Sequence, residues 1–166
     1  MDTTAFVALA LACAPAVHVD TAQALVKVES SFNPWAIGVV GGELQRQPRT
    51  KAEALATAEA LQAAGWNFSV GLGQINVRNF ARLGLTVHSA FEPCSNLAAM
   101  QVVLTHCFER AAGSGQRTQH TLRQALSCYY SNDFSTGFQH GYVQRVVHAA
   151  ISAQPLPPPN LLKEKS

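Results

Sequence analysis

Residues 22–34 read AQALVKVESSFNP, and this stretch decides how the rest of the chain is interpreted. Four of its residues recur at the spacing i, i+3, i+4 and i+7, which is typical of one face of a helix: Ala22, Leu25, Val26 and Glu29. Proline disfavours helical geometry in the residues before it, so the helix is predicted to end near Ser31. Glu29 is therefore predicted to project from the apolar face, at the C-terminal end of the helix.

A carboxylate in that position is unfavourable as a purely structural group. Burial raises the pKa of a glutamic acid, and the negative end of the helix dipole also disfavours its ionised form. A carboxylic acid that stays protonated near neutral pH is what general-acid catalysis on a glycosidic oxygen requires. The alternative is a partly exposed Glu29 that pairs with a nearby Lys or Arg, and periodicity alone leaves both interpretations open.

Outward from this helix, the chain is predicted to be mainly helical, with at most a small sheet. Trp35 to Gln47, with Gly41-Gly42 at its centre, resembles a small β-hairpin. A long apolar stripe at helical spacing indicates another helix: Leu97, Met100, Leu104, Cys107, Phe108 and Ala111. The predicted architecture is α+β, mainly α, with five to seven helices over residues 1–152 and a Pro-rich, flexible C-terminal tail over 153–166.

Composition excludes several classes of protein. The chain has 166 residues, of which 48% are hydrophobic and 13% charged, with a formal net charge of +2. This length fits one compact domain, and the low charge argues against a disordered chain. Lys and Arg are scattered, so no nucleic-acid partner is expected. No apolar run approaches the roughly 20 residues that span a bilayer.

The chain has four cysteines, Cys13, Cys94, Cys107 and Cys128, and none of them forms a CxxC pair. An even number without metal-ligand spacing favours two disulfides and an oxidising compartment, although four reduced core thiols remain the alternative. Of the three possible pairings, Cys94–Cys107 with Cys13–Cys128 ranks first, because a local bridge would clamp the loop before a helix to that helix's apolar face.

The first residues, MDTTAFVALALACAPA, have the apolar length of a signal peptide but no positively charged start, and Asp2 stands there instead. Leu11-Ala12-Cys13 also faintly resembles a lipoprotein cleavage site. The preferred interpretation is a first helix of the domain that ends near Pro15.

Three short motifs stand in order along the chain. Glu29 to Pro34, ESSFNP, resembles the ES-x-x-NP signature of lysozyme-like soluble lytic transglycosylase domains. Gly71 to Asn76, GLGQIN, is similar to their second motif, GLMQIN, with Gly73 in the Met position. Ser127 to Tyr130, SCYY, occupies the place of their AYN motif, with Tyr130 in the Asn position. Gly141 to Val143, GYV, resembles the segment that opens the last helix of that fold.

The subfamily attached to type IV secretion and conjugation systems is a closer match. Its insertion after the first motif resembles residues 36–42, and further similar segments follow at 47–49, 64–68, 79–85, 91–94 and 96–99. The resemblance covers residues 10 to 150 or so. It implies a lysozyme-like fold with a small β-hairpin beside the cleft, and a periplasmic enzyme that opens the cell wall for a secretion or conjugation apparatus.

The resemblance also implies a reaction that uses a single carboxyl group. Glu29 would protonate the oxygen between N-acetylmuramic acid and N-acetylglucosamine, and then act as base toward the muramyl 6-hydroxyl, which closes onto C1. The product would be a 1,6-anhydromuramyl end, made without water. A hydrolytic lysozyme of goose type, or a non-enzymatic glycan-binding assembly protein of the same fold, are the alternatives.

The other motif residues receive supporting roles by the same resemblance. Ser30 and Gln74 are expected to hydrogen-bond the sugar near Glu29. Asn76 would hold the turn of the second motif, or simply cap a helix. Tyr129 would position Glu29 or the glycan, or merely pack in the core.

Aromatic residues outside these positions are candidates for sugar stacking. Tyr142 is expected to stack on a sugar, whereas Trp35 and Trp66 are better explained by core or hairpin packing.

Gly73 is expected to widen one subsite. The six histidines show no ligand spacing, so no metal or other cofactor is expected, and no GxSxG motif supports a serine nucleophile.

Overall fold

The computed structural model describes residues 1–153, which form mainly α-helices. In chain order these are α1 (Thr3–Cys13), α2 (Val19–Ser30), α3 (Lys51–Ala63), α4 (Phe80–Leu83), α5 (Val87–Ala90), α6 (Pro93–Ala112), α7 (Gln119–Ser131), α8 (Thr136–Gln139) and α9 (Tyr142–Ala153). The mainly helical α+β class is therefore confirmed. The described residues form nine α-helices, more than the five to seven predicted, because α4, α5 and α8 are single turns of four residues. The predicted tail lies outside the described residues, except for Ala153, which ends α9.

Helix α2 ends where its sequence predicts, and it buries the predicted face. Ala22, Leu25 and Val26 are fully buried, and the helix packs against α9. It ends because Ser31 adopts the left-handed conformation, with φ of 51°, and donates its backbone N–H to the carbonyl of Lys27. The apolar stripe of α2 therefore faces the core, and its last turn reaches the surface.

The sheet has three antiparallel strands, β1 (Ile37–Val39), β2 (Phe68–Val70) and β3 (Ile75–Asn76), in the order β1-β2-β3. A small sheet next to the helices is thus present. The predicted hairpin within Trp35 to Gln47 is wrong, because β1 pairs with β2, from the far side of α3, and not with residues 43–47.

The side chain of Gln47 explains why no strand is needed there. Its amide oxygen accepts the N–H of Ile37 at 2.8 Å, and its amide nitrogen donates to the Ile37 carbonyl at 2.8 Å. One side chain thus satisfies the outer edge of β1 where the predicted second strand would have paired. Buried backbone polar groups must be paired, but a side chain can do this as well as a strand.

The cysteines form two disulfides, as expected, but the predicted pairing is wrong. The structure pairs Cys13 with Cys94 and Cys107 with Cys128, with Cα–Cα distances of 5.2 and 5.7 Å. Cys94 lies within the first turn of α6, and Cys107 lies on the same helix. Thirteen residues of α-helix separate them by about 20 Å, far beyond the reach of a disulfide.

The long helix α6 forms the centre of the packing. It contacts α7 along its length and α1 near its start, and each contact carries one disulfide. Leu97, Met100 and Leu104 from its apolar stripe are buried, as the spacing predicts. Within residues 1–153, no helix is both long and apolar enough to cross a membrane.

Candidate active site

A cleft of about 330 Å³ opens between the sheet and the ends of the central helices. The residues that line it come from α2, the three strands, α6, α7 and the segments next to the strands. They are Glu29, Gly38, Val39, Val40, Ser69, Gln74, Ile75, Asn76, Asn79, Val103, Tyr129 and Tyr130. The structure thus brings four of the predicted site residues to one cleft: Glu29, Gln74, Asn76 and Tyr129. Of the residues expected to form a hairpin wall, Gly38 to Val40 line the cleft.

Glu29 is held on the wall of the cleft by the last helix. The hydroxyl of Tyr142 donates a hydrogen bond to Oε1 of Glu29. Burial raises the pKa of Glu29 to about 7, against the opposing effects of the Tyr142 hydrogen bond and of the positive charge on Arg145. The carboxyl group is therefore half protonated near neutral pH, which suits a group that must first donate a proton and then accept one.

No second acidic residue lines this cleft within the described part of the chain. Glu53 instead bonds to Arg46, and Glu109 bonds to Arg117, both on the surface. Two-carboxylate glycosidases need an acid and a nucleophile or base on opposite sides of the scissile bond. The lining residues offer Glu29 alone for both proton transfers.

The second motif forms a tight turn that places Gln74 beside Glu29 in the cleft. The backbone N–H of Gln74 donates to the carbonyl of Gly71 at 3.1 Å, and Gln74 itself has a φ of 48°, in the left-handed region. Its side-chain nitrogen donates to the carbonyls of Ala36 and Gly71, both at 3.0 Å. Both amide hydrogens are thus engaged by backbone, which leaves Oε1 as the polar atom that a ligand hydroxyl can reach.

Asn96 holds this turn from the core, and sequence reasoning missed its role. It is 1% exposed, its Oδ1 accepts the N–H of Gly73 at 2.7 Å, and its Nδ2 donates to the carbonyls of Val70 and Ala90 at 3.0 and 2.7 Å. A Cβ on Gly71 would lie 2.3 Å from Nδ2, so only glycine fits there. The available signal was an asparagine one residue before the buried stripe of α6.

Tyr129 connects the third motif to the second. Its hydroxyl donates to the carbonyl of Gly73 at 2.6 Å, and its ring lines the cleft. Burial, and to a lesser extent the charge of Glu29, raises the pKa of the Tyr129 hydroxyl well above its usual value, so it stays a donor. Tyr129 therefore has two roles, since it packs against the core and also forms part of the cleft lining.

Gly73 is explained by close packing and not by a wider groove. A Cβ at this position would lie 3.0 Å from both the Met100 Cβ and the Tyr129 hydroxyl, and Gly73 does not line the cleft. The expectation that Gly73 widens a subsite is therefore wrong. The glycine makes room for the Met100 side chain and for the hydrogen bond from Tyr129.

Ser30 and Tyr142 have different roles from those expected, whereas Asn76 has one of the two roles that the sequence predicts. The hydroxyl of Ser30 donates back to the carbonyl of Val26 at 3.2 Å, and Ser30 does not line the cleft. Tyr142 is 2% exposed and contacts Glu29, so its ring is closed to a sugar. Asn76 caps a short 3-10 helix (Val77–Asn79) through the N–H of Arg78, and it also lines the cleft.

The fold and this cleft define a class of protein. Residues 6–145 match the family described as "Transglycosylase SLT domain", and the chain belongs to this family. It is 46% identical over 159 residues to "Type IV secretion system protein virB1" of Brucella suis biovar 1 (strain 1330), covering 91% of this chain and 66% of that protein. It is 38% identical over 157 residues to "Protein virB1" of Agrobacterium fabrum (strain C58 / ATCC 33970), covering 92% and 61%.

The chain thus spans slightly less than two thirds of the length of these curated relatives. No solved structure matches it significantly.

Proposed function

We propose that this chain is a peptidoglycan lytic transglycosylase that cleaves the β-1,4 bond between N-acetylmuramic acid and N-acetylglucosamine without water. The observation that carries the proposal is that Glu29 is the one acidic residue that lines the cleft within residues 1–153, and that burial raises its pKa to about 7. The family to which the chain belongs supports the same chemistry.

The reaction needs one acid that later becomes a base. Protonated Glu29 gives its proton to the glycosidic oxygen as the bond from C1 of the muramyl residue to that oxygen breaks. The resulting carboxylate takes the proton of the muramyl 6-hydroxyl, and that oxygen forms the new bond to C1. Glu29 ends protonated, so the cycle closes with neither water nor a cofactor consumed.

The neighbouring residues would support these two proton transfers. The Tyr142 hydroxyl holds Glu29 in orientation and stabilises the carboxylate that forms in the first step. Oε1 of Gln74 would accept a hydrogen bond from a sugar hydroxyl, with Asn76 and Tyr129 along the same cleft. Ser30 would reach the sugar only if its hydroxyl turned away from the Val26 carbonyl.

The biological setting follows from the relatives. The Brucella relative is named a type IV secretion system protein, and we infer that this chain acts with subunits of such an apparatus. An enzyme that cleaves peptidoglycan must meet it outside the cytoplasmic membrane, so we propose a periplasmic, wall-associated location. Two disulfides fit that compartment.

The test is digestion of purified peptidoglycan, with the products identified by mass spectrometry. We expect 1,6-anhydromuramyl ends from the native chain and at least a 100-fold lower rate from Glu29→Gln. Reducing ends would instead indicate a hydrolytic lysozyme. Glycan binding without any cleavage by the native chain would indicate a non-enzymatic assembly protein.

A further inference from the structure

Tyr130 stands where the related motif has asparagine, and it lies in the cleft beside Glu29. Its side chain is 42% exposed, although large aromatic side chains in folded domains usually cover most of their area. Tyr129, its neighbour, uses its hydroxyl within the protein, on the carbonyl of Gly73. Tyr130 therefore offers an open aromatic surface close to the reacting carboxyl group.

The ring of Tyr130 is held in place on one side. It stacks on Tyr142, with ring centroids 4.6 Å apart and an angle of 18° between the planes. Its hydroxyl lies 3.1 Å from Nδ1 of His140, so the far end of the side chain is also anchored. Because one face covers Tyr142, the exposed area belongs to the opposite face and the edges of the ring. A ring fixed in this way loses little conformational freedom on binding a ligand.

Apolar side chains line the same cleft as the open ring. Val103 of α6 lines the cleft with Tyr130, and Val39 and Val40 line it from β1 and the residue after it. Val40 is itself 57% exposed. The polar atoms of Glu29 and Gln74 belong to the same cleft. A pyranose ring matches such a surface, because its C–H face is apolar and its hydroxyl groups lie around the edge.

We propose that Tyr130 is a stacking platform for a sugar ring of the glycan next to the bond that Glu29 cleaves. This inference rests on the proposed function and extends it, since it assigns a specificity-determining residue to a position where the related motif has an amide. The aromatic face would hold the glycan strand in the ground state and the transition state alike, so it would contribute to binding more than to proton transfer.

Binding is measured by calorimetry in the Glu29→Gln background, which leaves the ligand uncut, with a β-1,4-linked N-acetylglucosamine hexasaccharide as the probe. We expect Tyr130→Leu and Tyr130→Asn to weaken its affinity roughly tenfold, because stacking on an aromatic ring contributes on the order of one such factor. Tyr130→Phe and Tyr130→Trp, which keep an aromatic face, should bind within about twofold of the parent. Trp66→Leu is the matched control, because Trp66 is 47% exposed but does not line the cleft.

A different role for Tyr130, as a support for Tyr142, would give a different kinetic result. Loss of a platform raises KM while kcat and the pH profile stay as they are. Loss of a support for Tyr142 instead changes kcat and shifts the pH profile through Glu29. Unchanged affinity in both Tyr130→Leu and Tyr130→Asn, or a loss confined to kcat, overturns the platform. If the platform is overturned but the native chain still cleaves peptidoglycan, the proposed function is retained. If the native chain does not cleave peptidoglycan and the Glu29→Gln parent does not bind the glycan, both proposals are wrong.

Discussion

The protonation of Glu29 depends on a balance between burial and two neighbours. Burial favours the neutral acid, whereas the Tyr142 hydroxyl and the charge of Arg145 favour the carboxylate, and burial is the larger effect. Arg145 is exposed and lies over the Tyr142 ring, with its Cζ 5.9 Å from the centroid, so solvent screens its charge. The result is a group that titrates close to neutral pH.

Activity should therefore fall as the pH rises through about 7, because only protonated Glu29 can start the reaction. Tyr142→Phe removes a hydrogen bond that stabilises the carboxylate, so it should raise the pKa and move this basic limb to higher pH. The measurement is kcat/KM against pH. Tyr130→Phe is the control, since it removes a hydroxyl that bonds His140 and should leave the limb in place. A limb that moves to lower pH in Tyr142→Phe would contradict this account.

The raised pKa of Glu29 also predicts how stability changes with pH. The native state holds the proton up to about pH 7, whereas a glutamic acid in the unfolded chain loses it near 4.5. The stabilising effect of the protonated group is thus complete below pH 4.5 and is lost as the pH rises through 7. Glu29→Gln should match the native chain at pH 4 and exceed it at pH 8, by about 3 kcal/mol at most. Urea unfolding of both chains at these two pH values tests the prediction, and equal stabilities at pH 8 would refute it.

At the scale of elements, the turn between β2 and β3 is built by contacts that come from α6. Asn96 accepts one backbone N–H and donates to two backbone carbonyls, and all four residues are buried. This turn fixes the position of Gln74 and of the Gly73 carbonyl, which accepts the hydrogen bond from the Tyr129 hydroxyl. The geometry of the cleft floor therefore depends on one buried amide.

Asn96→Ala should destabilise the fold by about 3 kcal/mol, because it leaves buried backbone groups without partners. It should also reduce activity in the fraction that stays folded, since Gln74 loses its fixed position. Asn79→Ala is the matched control for stability, because the Asn79 side chain makes a single contact within residues 1–153, at 3.5 Å to Arg82. Its cost should stay within about 0.5 kcal/mol. Denaturant unfolding measures the loss of stability in both variants. A loss for Asn96→Ala as small as that for Asn79→Ala would show that Asn96 is dispensable.

At the scale of the whole molecule, the two disulfides join the helices that surround the core. Cys13–Cys94 spans 81 residues and connects α1 to the start of α6, whereas Cys107–Cys128 spans 21 and connects the second half of α6 to α7. Cys107 and Cys128 are buried, but Cys94 is exposed. One bridge is therefore open to solvent and the other is protected by packing.

Mild reduction of the native protein should open Cys13–Cys94 first, because thiol–disulfide exchange requires access to the sulfur. Alkylation followed by peptide mapping would identify the released thiols. Paired replacement, Cys13→Ala with Cys94→Ala, should lower the free energy of unfolding by about 4.5 kcal/mol, since the bridge closes a long loop in the unfolded chain. Release of Cys107 and Cys128 at the same rate, or a cost below about 1 kcal/mol, would contradict this prediction.

Features that depend on neighbours along the chain could be predicted from the amino-acid sequence. The spacing of Ala22, Leu25 and Val26 predicted the buried face and the end of α2, because one helical turn brings such residues together. The stripe of α6 was predicted in the same way. The order of three motifs indicated the family, and an even number of cysteines without metal spacing indicated disulfides.

Contacts between groups that are distant in the sequence became known from the folded structure. Strand β1 pairs with a strand that lies 31 residues further along the chain, and the Gln47 side chain hydrogen-bonds its outer edge. The distance along α6 separates Cys94 from Cys107, so each of them pairs with a cysteine of another helix. The Tyr142 hydroxyl reaches Glu29 across 113 residues of sequence. Such contacts leave no periodic trace, because they are set by how whole helices pack. The raised pKa of Glu29 is a product of that packing, since it arises from the burial of one carboxyl group by several elements at once.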